Sequence, residues 1–306
     1  MPALARAFLL LALVVFFTGQ SAAEPAPVTI VVYNLKNYLK MDRRIAGEPV
    51  EDAPKPEPEI AALVALIVQA QPDILGVCEI GPRDDLADLQ SRLASAGIAL
   101  PHSDWMEAGD PVRHLALLSR FPIVARDHQT ALRYRIDLTE LAFQRGILDA
   151  TVQVNPDYQL RALGLHLKSK RNVPEGDQEL MRRNEAHLAR KHIDAILAAG
   201  PDTNLLVFGD LNDTRNQPTV RAIQGRYGSP TYLRAIDFAD PHGDVWTHYW
   251  SYADIYARID FALASPGLYP EIVSGSGEIP VSSDWFLASD HRPLKFKFIP
   301  ENARNP

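Results

Sequence analysis

The chain has 306 residues, of which 46% are hydrophobic, and this supplies enough apolar material for a substantial buried core. Its formal net charge of -7 argues against tight, nonspecific binding to long nucleic acid, which usually requires a strongly basic surface. The single cysteine, Cys78, excludes an intramolecular disulfide and is interpreted as a small buried residue of a strand.

The N-terminal segment has the organisation of a cleavable secretory signal. Arg6 precedes an unbroken apolar run from Ala7 to Phe17, and small residues follow up to Ala23. This run is too short to cross a bilayer of roughly 30 Å as a helix, and no later segment is long and apolar enough to do so. We therefore predict that residues 1–23 are removed and that residues 24–306 are secreted or periplasmic, without stable membrane insertion.

Short apolar, β-branched runs alternate along the chain with segments of helical periodicity. The predicted strands are Val28 to Tyr33, Asp73 to Cys78, Leu115 to Ser119, Gly146 to Val154, Gln159 to His166, Leu205 to Phe208, Ile259 to Ala264 and Leu294 to Phe298. The predicted helices are Glu59 to Gln69, Leu86 to Ala96 and Asp177 to Ala198. This alternation, without an internal repeat, indicates an α/β layered fold.

Two connecting segments refine this architecture. Asn155, Pro156 and Asp157 form the expected turn of an antiparallel hairpin, so the sheet cannot be wholly parallel. A two-sheet sandwich with outer helices fits best. The linker-like stretch from Glu51 to Glu59 falls too early to leave a foldable domain before it, and we interpret it as a surface loop, either a solvated spacer or a substrate-facing flap.

Polar side chains stand where several predicted strands end. Asp210 and Asn212 follow the strand that ends at Phe208, and strand alternation would put them on the same side. A carboxylate and an amide so placed could orient a nucleophilic water and hold a phosphate oxygen. The same Gly-Asp-Leu-Asn string is, taken alone, an equally good turn that closes local hydrogen bonds.

The C-terminal motif Ser-Asp-His-Arg-Pro supplies a group for proton transfer. It places Asp290 beside His291, whose unperturbed pKa suits proton transfer near neutrality, directly before the last predicted strand. Asp260 lies in an otherwise apolar strand, where an unpaired carboxylate would cost several kcal/mol. A histidine ring is a natural partner for it.

Three further strands end in polar groups. Asn34 and Glu79 each place an oxygen at the end of a buried run, and His166 ends the strand that begins at Gln159. A local cationic cluster follows His166, formed by Lys168, Lys170 and Arg171. Short charge runs of this kind are equally common on solvated loops.

Taken together and in chain order, these motifs resemble the endonuclease/exonuclease/phosphatase superfamily, which has the fold of pancreatic-type deoxyribonuclease. The resemblance is carried by Asn34, Glu79, His166, Gly209-Asp-Leu-Asn212, Asp260 and Ser289-Asp-His291. It spans nearly the whole mature chain and implies a single catalytic domain over residues 24–306. The implied fold is an α/β four-layered sandwich of two mixed β-sheets flanked by helices.

The resemblance implies a metal-dependent hydrolase of phosphate esters. Glu79, Asn34 and Asp290 would hold Mg²⁺ or Mn²⁺ through oxygen atoms, as a hard cation prefers. His291 would be the general base, held and polarised by Asp260. The reaction would be an in-line displacement assisted by neutralisation of charge.

The remaining motif residues would handle the water and the phosphate. Asp210 and Asn212 would position both, while His166 would bind the phosphate or protonate the leaving oxygen. Two departures from the family pattern concern neighbours of these motifs. Asp213 stands where many relatives have a small residue, and Cys78 precedes the glutamate where glutamine is common. The lone cysteine also means that the disulfides of secreted animal nucleases are absent.

The motifs do not select one phosphate ester. Tyr249, in an aromatic run just before the Asp260 strand, could stack on a base or sugar or belong to a structural cluster. Arg145, together with the cationic cluster, could contact a second phosphate. We rank a nuclease-like phosphodiesterase acting on nucleic acid or nucleotides first, and a phosphomonoesterase or phospholipase C/sphingomyelinase-like enzyme second. A catalytically inactive anion-binding protein is the third hypothesis, and no protein partner is evident.

Overall fold

The computed structural model describes residues 26–301, so the predicted signal segment lies outside the described residues. Their strands are β1 (Val28–Tyr38), β2 (Met41–Ile45), β3 (Glu48–Ala53), β4 (Ile74–Ile80), β5 (His102–Met106), β6 (His114–Ser119), β7 (Ile123–Arg126), β8 (Arg133–Ile136), β9 (Thr139–Ala142), β10 (Leu148–Asn155), β11 (Tyr158–His166), β12 (Leu205–Asp210), β13 (Arg234–Ala235), β14 (His248–Trp250), β15 (Ile255–Ala257), β16 (Asp260–Ala264) and β17 (Leu294–Phe298). Their helices are α1 (Glu57–Ala70), α2 (Arg83–Ser95), α3 (Gln178–Ala199), α4 (Pro218–Gln224) and α5 (Trp285–Ala288), with a 3-10 turn at Tyr269–Glu271.

Two mixed sheets form the centre of the structure. One has the strand order β17-β1-β4-β6-β5, and the other has the order β13-β16-β12-β11-β10-β7. Each contains one parallel pair, β1 with β4 and β11 with β12, among antiparallel neighbours. The hairpin expected at Asn155 to Asp157 joins β10 and β11 in antiparallel register. The α/β sandwich of two mixed sheets is therefore confirmed.

Strand alternation builds the layers. Val28, Ile30 and Val32 of β1 lie in the hydrophobic core between the two sheets. Val31 and Tyr33 face the opposite side and pack in a second core with the buried residues of α1 and α2. A third core lies between α3, α4 and the other sheet. Because successive side chains of a strand point to opposite faces, each strand contributes to two cores at once.

The eight predicted strands and three predicted helices are all present, with bounds shifted by a few residues. The interpretation of Glu51 to Glu59 as one loop was wrong, because β3 reaches Ala53 and α1 begins at Glu57. β3 is polar and mostly exposed in its hairpin with β2, so it carries no hydrophobic alternation to reveal it. Cys78 is buried, as expected. No helix within residues 26–301 is long and apolar enough to span a membrane.

Helix α3 braces the loop that follows β11. Glu185 is fully buried and accepts a hydrogen bond from the backbone N–H of Lys168 at 2.6 Å. Arg182, one turn earlier, donates from Nη1 to the backbone carbonyl of Lys168 at 3.0 Å. These two contacts fix the chain immediately after His166.

We expect Glu185→Gln to remove a pH-dependent loss of stability. Burial raises the pKa of Glu185 to about 7, from an ordinary value of 4.5. The folded state therefore binds this proton more tightly than the unfolded state. The contribution of Glu185 to stability is fully present below pH 4.5 and is lost as the pH rises through about 7. The shift corresponds to about 3 kcal/mol, at about 1.4 kcal/mol per pKa unit.

Denaturant unfolding at about pH 5 and about pH 8 measures this effect as the difference in free energy of unfolding. The glutamine variant should lose less stability over this interval than the unmodified chain. Glu179→Gln, at an exposed position of the same helix, is the matched control and should leave the pH dependence unchanged. The same pH dependence in the Glu185→Gln variant and the unmodified chain would contradict the assignment.

Candidate functional site

Four polar side chains continue the inward-facing series of the core strands. Asn34 follows Ile30 and Val32 at the same alternation on β1. His166 and Asp210 end the corresponding series on β11 and β12, and Asp260 begins it on the antiparallel strand β16. His166 pairs with Asp210 in register, and Asp210 pairs with Asp260. All four are buried. The alternation that fills the core with apolar groups thus also places these polar groups together at one end of it.

Glu79 joins the cluster through a break in regular strand geometry. Cys78 faces the core between the sheets, so regular alternation would turn Glu79 toward the outer layer. Instead, the register of β4 shifts between Cys78 and Ile80, and Glu79 has a left-handed φ of 63°. Its Oε1 accepts a hydrogen bond from Asn34 Nδ2 at 3.3 Å, and its Oε2 accepts one from the backbone N–H of Asn37 at 3.0 Å.

The Gly-Asp-Leu-Asn string forms both a turn and part of the site. Gly209 has a φ of 127°, and a Cβ there would lie 2.0 Å from the carbonyl oxygen of Leu165 on the neighbouring strand, so only glycine fits. Asp210 Oδ1 accepts from the backbone N–H of Asn212 at 2.8 Å. Its Oδ2 accepts from the amide groups of Asn34 at 3.2 Å and Asn212 at 3.3 Å. The Asp210 carboxylate is therefore held in one position by three donors.

His291 and Asp260 form the buried pair expected from the sequence. Nδ1 of His291 lies 2.8 Å from Oδ2 of Asp260, so the carboxylate accepts the Nδ1 proton and Nε2 is directed toward Asp210, 3.8 Å from its Oδ2. Ser289 fixes the loop, since its hydroxyl donates to the carbonyl of Asn34 at 2.9 Å and accepts from the backbone N–H of His291 at 3.0 Å. The first strand and the C-terminal motif are thereby joined.

Burial and the concentration of charge shift the pKa values of the cluster. Burial, with the charge of Asp260, raises the pKa of Asp210 to about 7. Burial alone would lower the pKa of His291, but the adjacent Asp260 carboxylate outweighs it and the pKa rises to about 10. Burial and the positive charge of Arg145 hold the pKa of His166 well below its ordinary value. At neutral pH His166 is therefore an uncharged ring, whereas His291 carries protons on both ring nitrogens for as long as its pKa stays at about 10.

The donor set fits a divalent cation. Carboxylate and amide oxygens are what a hard cation prefers, and a nearby cation would oppose the burial and the Asp260 charge that raise the pKa of Asp210. Asn34 Nδ2 contacts the Glu79 carboxylate, while Asn34 Oδ1 accepts from the backbone N–H of Lys36 at 3.0 Å. The charge of Asp290 acts on the neighbouring His291. A second group, Asp210, Asp260 and His291, has ligand atoms within 4.8 Å of one another. Because the histidine and Asp260 of that group already bind each other, we keep Asn34, Glu79 and Asp290 as the proposed ligands.

Of the predicted cationic residues, Arg145 is the one whose charge acts on a residue of the cluster. Its charge acts on His166, and its Nε is paired with Asp110 at 3.1 Å. Lys168 is buried, and its Nζ donates to the backbone carbonyls of Ser169 at 3.1 Å and Arg171 at 2.9 Å, which closes its own loop. Its proposed contact with substrate would require these bonds to open.

The exposed cationic residues and Asp213 lie around this loop. Arg171 is exposed, and Lys170 reaches Asp213 at 3.4 Å. Asp213 is buried, and its other oxygen lies 3.6 Å from Arg182 of α3. The additional carboxylate therefore anchors the loop to α3. Tyr249 donates from its hydroxyl to Asp254 at 3.0 Å.

Sequence reasoning missed two residues at the site. Arg113 donates from Nε to Asn37 Oδ1 at 2.7 Å and lies 4.0 Å from Oε2 of Glu79. The ring of His248 lies 4.6 Å from the ring of His291. Arg113 comes from an irregular loop and carried no motif. His248 stood inside the aromatic run already singled out, so its position before Tyr249 was a signal that could have been used.

The structure is thus a two-sheet sandwich with a buried histidine-aspartate pair and further carboxylates at one end of its core. The model of the Endonuclease/Exonuclease/phosphatase family matches residues 37–291, and the chain belongs to this family. Members of the family are hydrolases that act on phosphoester bonds. No curated protein sequence matches the chain.

Solved structures share the fold at low sequence identity. An endonuclease/exonuclease/phosphatase protein from Bacteroides vulgatus is 16% identical with a TM-score of 0.63, covering 90% of this chain and 100% of its own. Beta toxin from Staphylococcus aureus is 13% identical with a TM-score of 0.62, covering 88% and 99%. Sphingomyelinase C from Streptomyces griseocarneus is 15% identical with a TM-score of 0.59, covering 89% and 99%. At these identities the likeness concerns the fold.

Proposed function

We propose that this chain is a divalent-metal-dependent phosphodiesterase that uses a His/Asp-activated water. The observation that carries the proposal is the buried contact of 2.8 Å between His291 Nδ1 and Asp260 Oδ2, in the same cluster as the Glu79 carboxylate, which accepts from Asn34 Nδ2 at 3.3 Å. A base held by a carboxylate, beside oxygen ligands for a hard cation, is what the hydrolysis of a phosphate ester requires.

Each side chain then has a defined task. Asp260 holds the Nδ1 proton of His291, so that Nε2 can take a proton from the attacking water. Asp210 and Asn212 position this water and a phosphate oxygen, and His166 donates from its ring to the phosphate or to the leaving oxygen. A divalent cation held by the proposed ligands would neutralise phosphate charge and lower the pKa of His291 toward neutrality.

Two substrate classes are considered for this site. The nuclease-like hypothesis, with nucleic acid or nucleotides as substrate, remains a prediction and is supported by the nearby charge of Arg145. A phospholipase C/sphingomyelinase-like hydrolase is the second candidate. It is favoured by exposed aromatic side chains on the hairpin that carries His248, whose ring lies 4.6 Å from that of His291, with Trp250 51% and Tyr252 90% exposed, and by the fold shared with a sphingomyelinase C.

A substrate panel tests the proposal. Purified protein is assayed with bis-p-nitrophenyl phosphate, p-nitrophenyl phosphate, plasmid DNA and phosphatidylcholine, each with Mg²⁺, with Mn²⁺ and with EDTA. We expect metal-dependent turnover of the diester that exceeds turnover of the monoester. Faster hydrolysis of the monoester would indicate a phosphomonoesterase. No turnover of any ester with either metal would overturn the proposal in favour of an anion-binding protein.

Glu79→Gln should raise the metal concentration needed for half-maximal rate, because a charged oxygen ligand becomes neutral. The measurement is the rate of bis-p-nitrophenyl phosphate hydrolysis over a titration of Mg²⁺ and of Mn²⁺. Glu140→Gln, at an exposed position on β9, is the matched control and should leave the titration unchanged. Superimposable titrations of the Glu79→Gln variant and the unmodified chain would count against direct ligation.

We also propose export, which is supported by the apolar run from Ala7 to Phe17 and the small residues that follow it. Expression of the full chain with a C-terminal tag, followed by N-terminal sequencing of the protein outside the cytoplasm, tests this proposal. We expect the mature chain to begin at Glu24. Retention of the intact N-terminus in the cytoplasm would contradict export.

A further inference from the structure

Exposed apolar side chains are concentrated on one part of the surface. Of the fourteen large hydrophobic side chains that are exposed within residues 26–301, seven lie on the β14–β15 hairpin, on α5 or just before the hairpin. We call these seven the aromatic rim: Val245, Trp250, Tyr252, Ile255, Tyr256, Phe286 and Leu287. Large contiguous apolar surfaces on soluble proteins mark sites of interaction.

Ring contacts connect the hairpin to α5. Tyr249 stacks on Tyr256 with ring centroids 4.4 Å apart, and it meets Phe286 edge-on at 5.7 Å. At the tip of the hairpin, Trp250 and Tyr252 stack at 5.9 Å. The short hairpin therefore projects side chains from both of its faces, Tyr249 and Tyr256 on the side of Phe286 and Trp250 and Ile255 on the other.

The aromatic rim is fixed to the catalytic loop. The backbone N–H of Tyr249 donates to the carbonyl of Asp290 at 2.9 Å, and the ring of His248 lies 4.6 Å from His291. Alternation along β14 puts Trp250 on the same hairpin face as His248, and Ile255 of β15 is the cross-strand partner of Trp250 on that face. A surface bound by the rim is thus held beside the base that would attack a phosphate ester.

The charges around the rim limit what it binds. Asp254 lies in the hairpin turn and Asp284 directly precedes α5, whereas Lys36 places one ammonium group 5.4 Å from the centre of the Phe286 ring. Carboxylates at both ends of the rim oppose a polyanion such as nucleic acid, and the whole chain has a net charge of -7. A surface without net charge would not be repelled by the charged residues around the rim.

The composition of the rim narrows the choice further. Tryptophan and tyrosine, which have an apolar body and a polar tip, are enriched where proteins meet the interface of a bilayer. Leu287, Ile255 and Val245 add aliphatic contacts, which a stacking platform for bases does not require. A protein partner would cover the rim without delivering an ester to His291, whereas a phospholipid surface does both.

We propose that the aromatic rim docks on a zwitterionic phospholipid surface and presents phosphodiester headgroups to the site of His291. This inference rests on the proposed function, since it names the surface from which that site takes its substrate. Trp250 and Tyr252 enter the interface, and the net-neutral headgroups avoid repulsion by Asp254 and Asp284. Anionic lipid is not required for binding.

Cosedimentation with vesicles of pure phosphatidylcholine tests the docking surface without relying on turnover. The unmodified chain should sediment with the vesicles, and the double variant Trp250→Ala/Tyr252→Ala should partition at least about 10-fold more weakly, because two exposed aromatic side chains no longer enter the apolar layer. Tyr227→Ala removes an equally exposed tyrosine, 85% accessible, from another loop and should bind like the unmodified chain.

Three results would overturn the docking surface. They are failure of the unmodified chain to sediment with phosphatidylcholine, equal binding by the double variant, and binding only when phosphatidylglycerol is added. Sedimentation velocity without lipid adds a fourth, a stable dimer that the double variant dissociates, because the rim would then bind a second copy.

Turnover is measured separately to keep the two proposals distinct. For each variant, the rate on phosphatidylcholine vesicles is divided by its rate on soluble bis-p-nitrophenyl phosphate, and this ratio should fall in the double variant. Vesicle binding without turnover of any ester would support the rim and contradict the proposed function. Turnover of the soluble diester without vesicle binding would support the proposed function and contradict the docking role of the rim.

Discussion

Replacing His291 with alanine should reduce the turnover of bis-p-nitrophenyl phosphate by roughly 10²-fold or more, as expected for the loss of a general base. The ring is buried, Asp260 accepts its Nδ1 proton, and its Nε2 is directed toward Asp210 at 3.8 Å. His166 cannot replace it as a base, because burial holds the pKa of that ring far below its ordinary value. The loss should therefore appear in kcat at saturating Mg²⁺.

The matched control for this substitution is His187→Ala, which removes an exposed histidine from α3. It should retain nearly the full rate. Thermal unfolding of both variants separates a catalytic effect from a folding defect. A His291→Ala variant that is folded and nearly as active as the unmodified chain would remove this residue from the role of base.

Asp210→Asn should reduce turnover by about 10²-fold or more, because misplacing groups that hold reactants has effects of this size. The carboxylate of Asp210 accepts hydrogen bonds from the side chains of Asn34 and Asn212. An amide presents an N–H group where one of these donors now binds, so the two side chains would have to turn. Burial raises the pKa of Asp210 to about 7, so replacing it with a neutral group should preserve or increase stability.

Asp213→Asn is the matched control, because it is a second buried carboxylate three residues further along the chain. Asp213 is paired with Lys170 and Arg182, outside the catalytic cluster. We expect this variant to lose stability while its rate per folded molecule changes by only a few-fold. If Asp210→Asn were instead the less stable and the more active of the two, the assigned roles would be reversed.

Much of the fold could be predicted because its core strands are apolar runs and its longest helix has an apolar stripe. Four core strands are buried on both faces and appear in the sequence as apolar runs, so they were predicted: β1, β4, β12 and β16. The helical stripe of α3 was equally clear, because Ala186, Ala189 and Ile193 recur at helical spacing. By contrast, β2, β3, β8 and β9 form hairpins that are mostly exposed, so their strands have no regular alternation of buried and exposed residues to detect.

The site followed from strand ends for a physical reason. Asn34, His166, Asp210 and Asp260 continue the inward alternation of core strands, so one rule predicts both their burial and their proximity. Strand alternation alone does not predict the position of Glu79. Its left-handed backbone turns the side chain back toward Asn34, and the residues around it do not indicate a bulge.

Contacts that depend on loop closure were not predictable from the chain order. Arg113 reaches Asn37 and the carboxylate of Glu79 from an irregular segment before β6. Lys168 turns its ammonium group onto backbone carbonyls of its own loop, and Asp213 turns toward α3. The charged group of a long side chain can bond either to water or to a protein partner, and the spacing of such residues in the sequence does not show which.

The position of Mn²⁺ in crystals soaked with the ion tests the central claim most directly, because anomalous scattering locates the metal independently of catalysis. We expect a single strong site or a close pair of sites bordered by the carboxylate of Glu79 and oxygen atoms of Asn34 and Asp290, with Mn–O distances of roughly 2 Å. Mn²⁺ bound elsewhere, with no density beside Glu79 at concentrations that support turnover, would contradict the account.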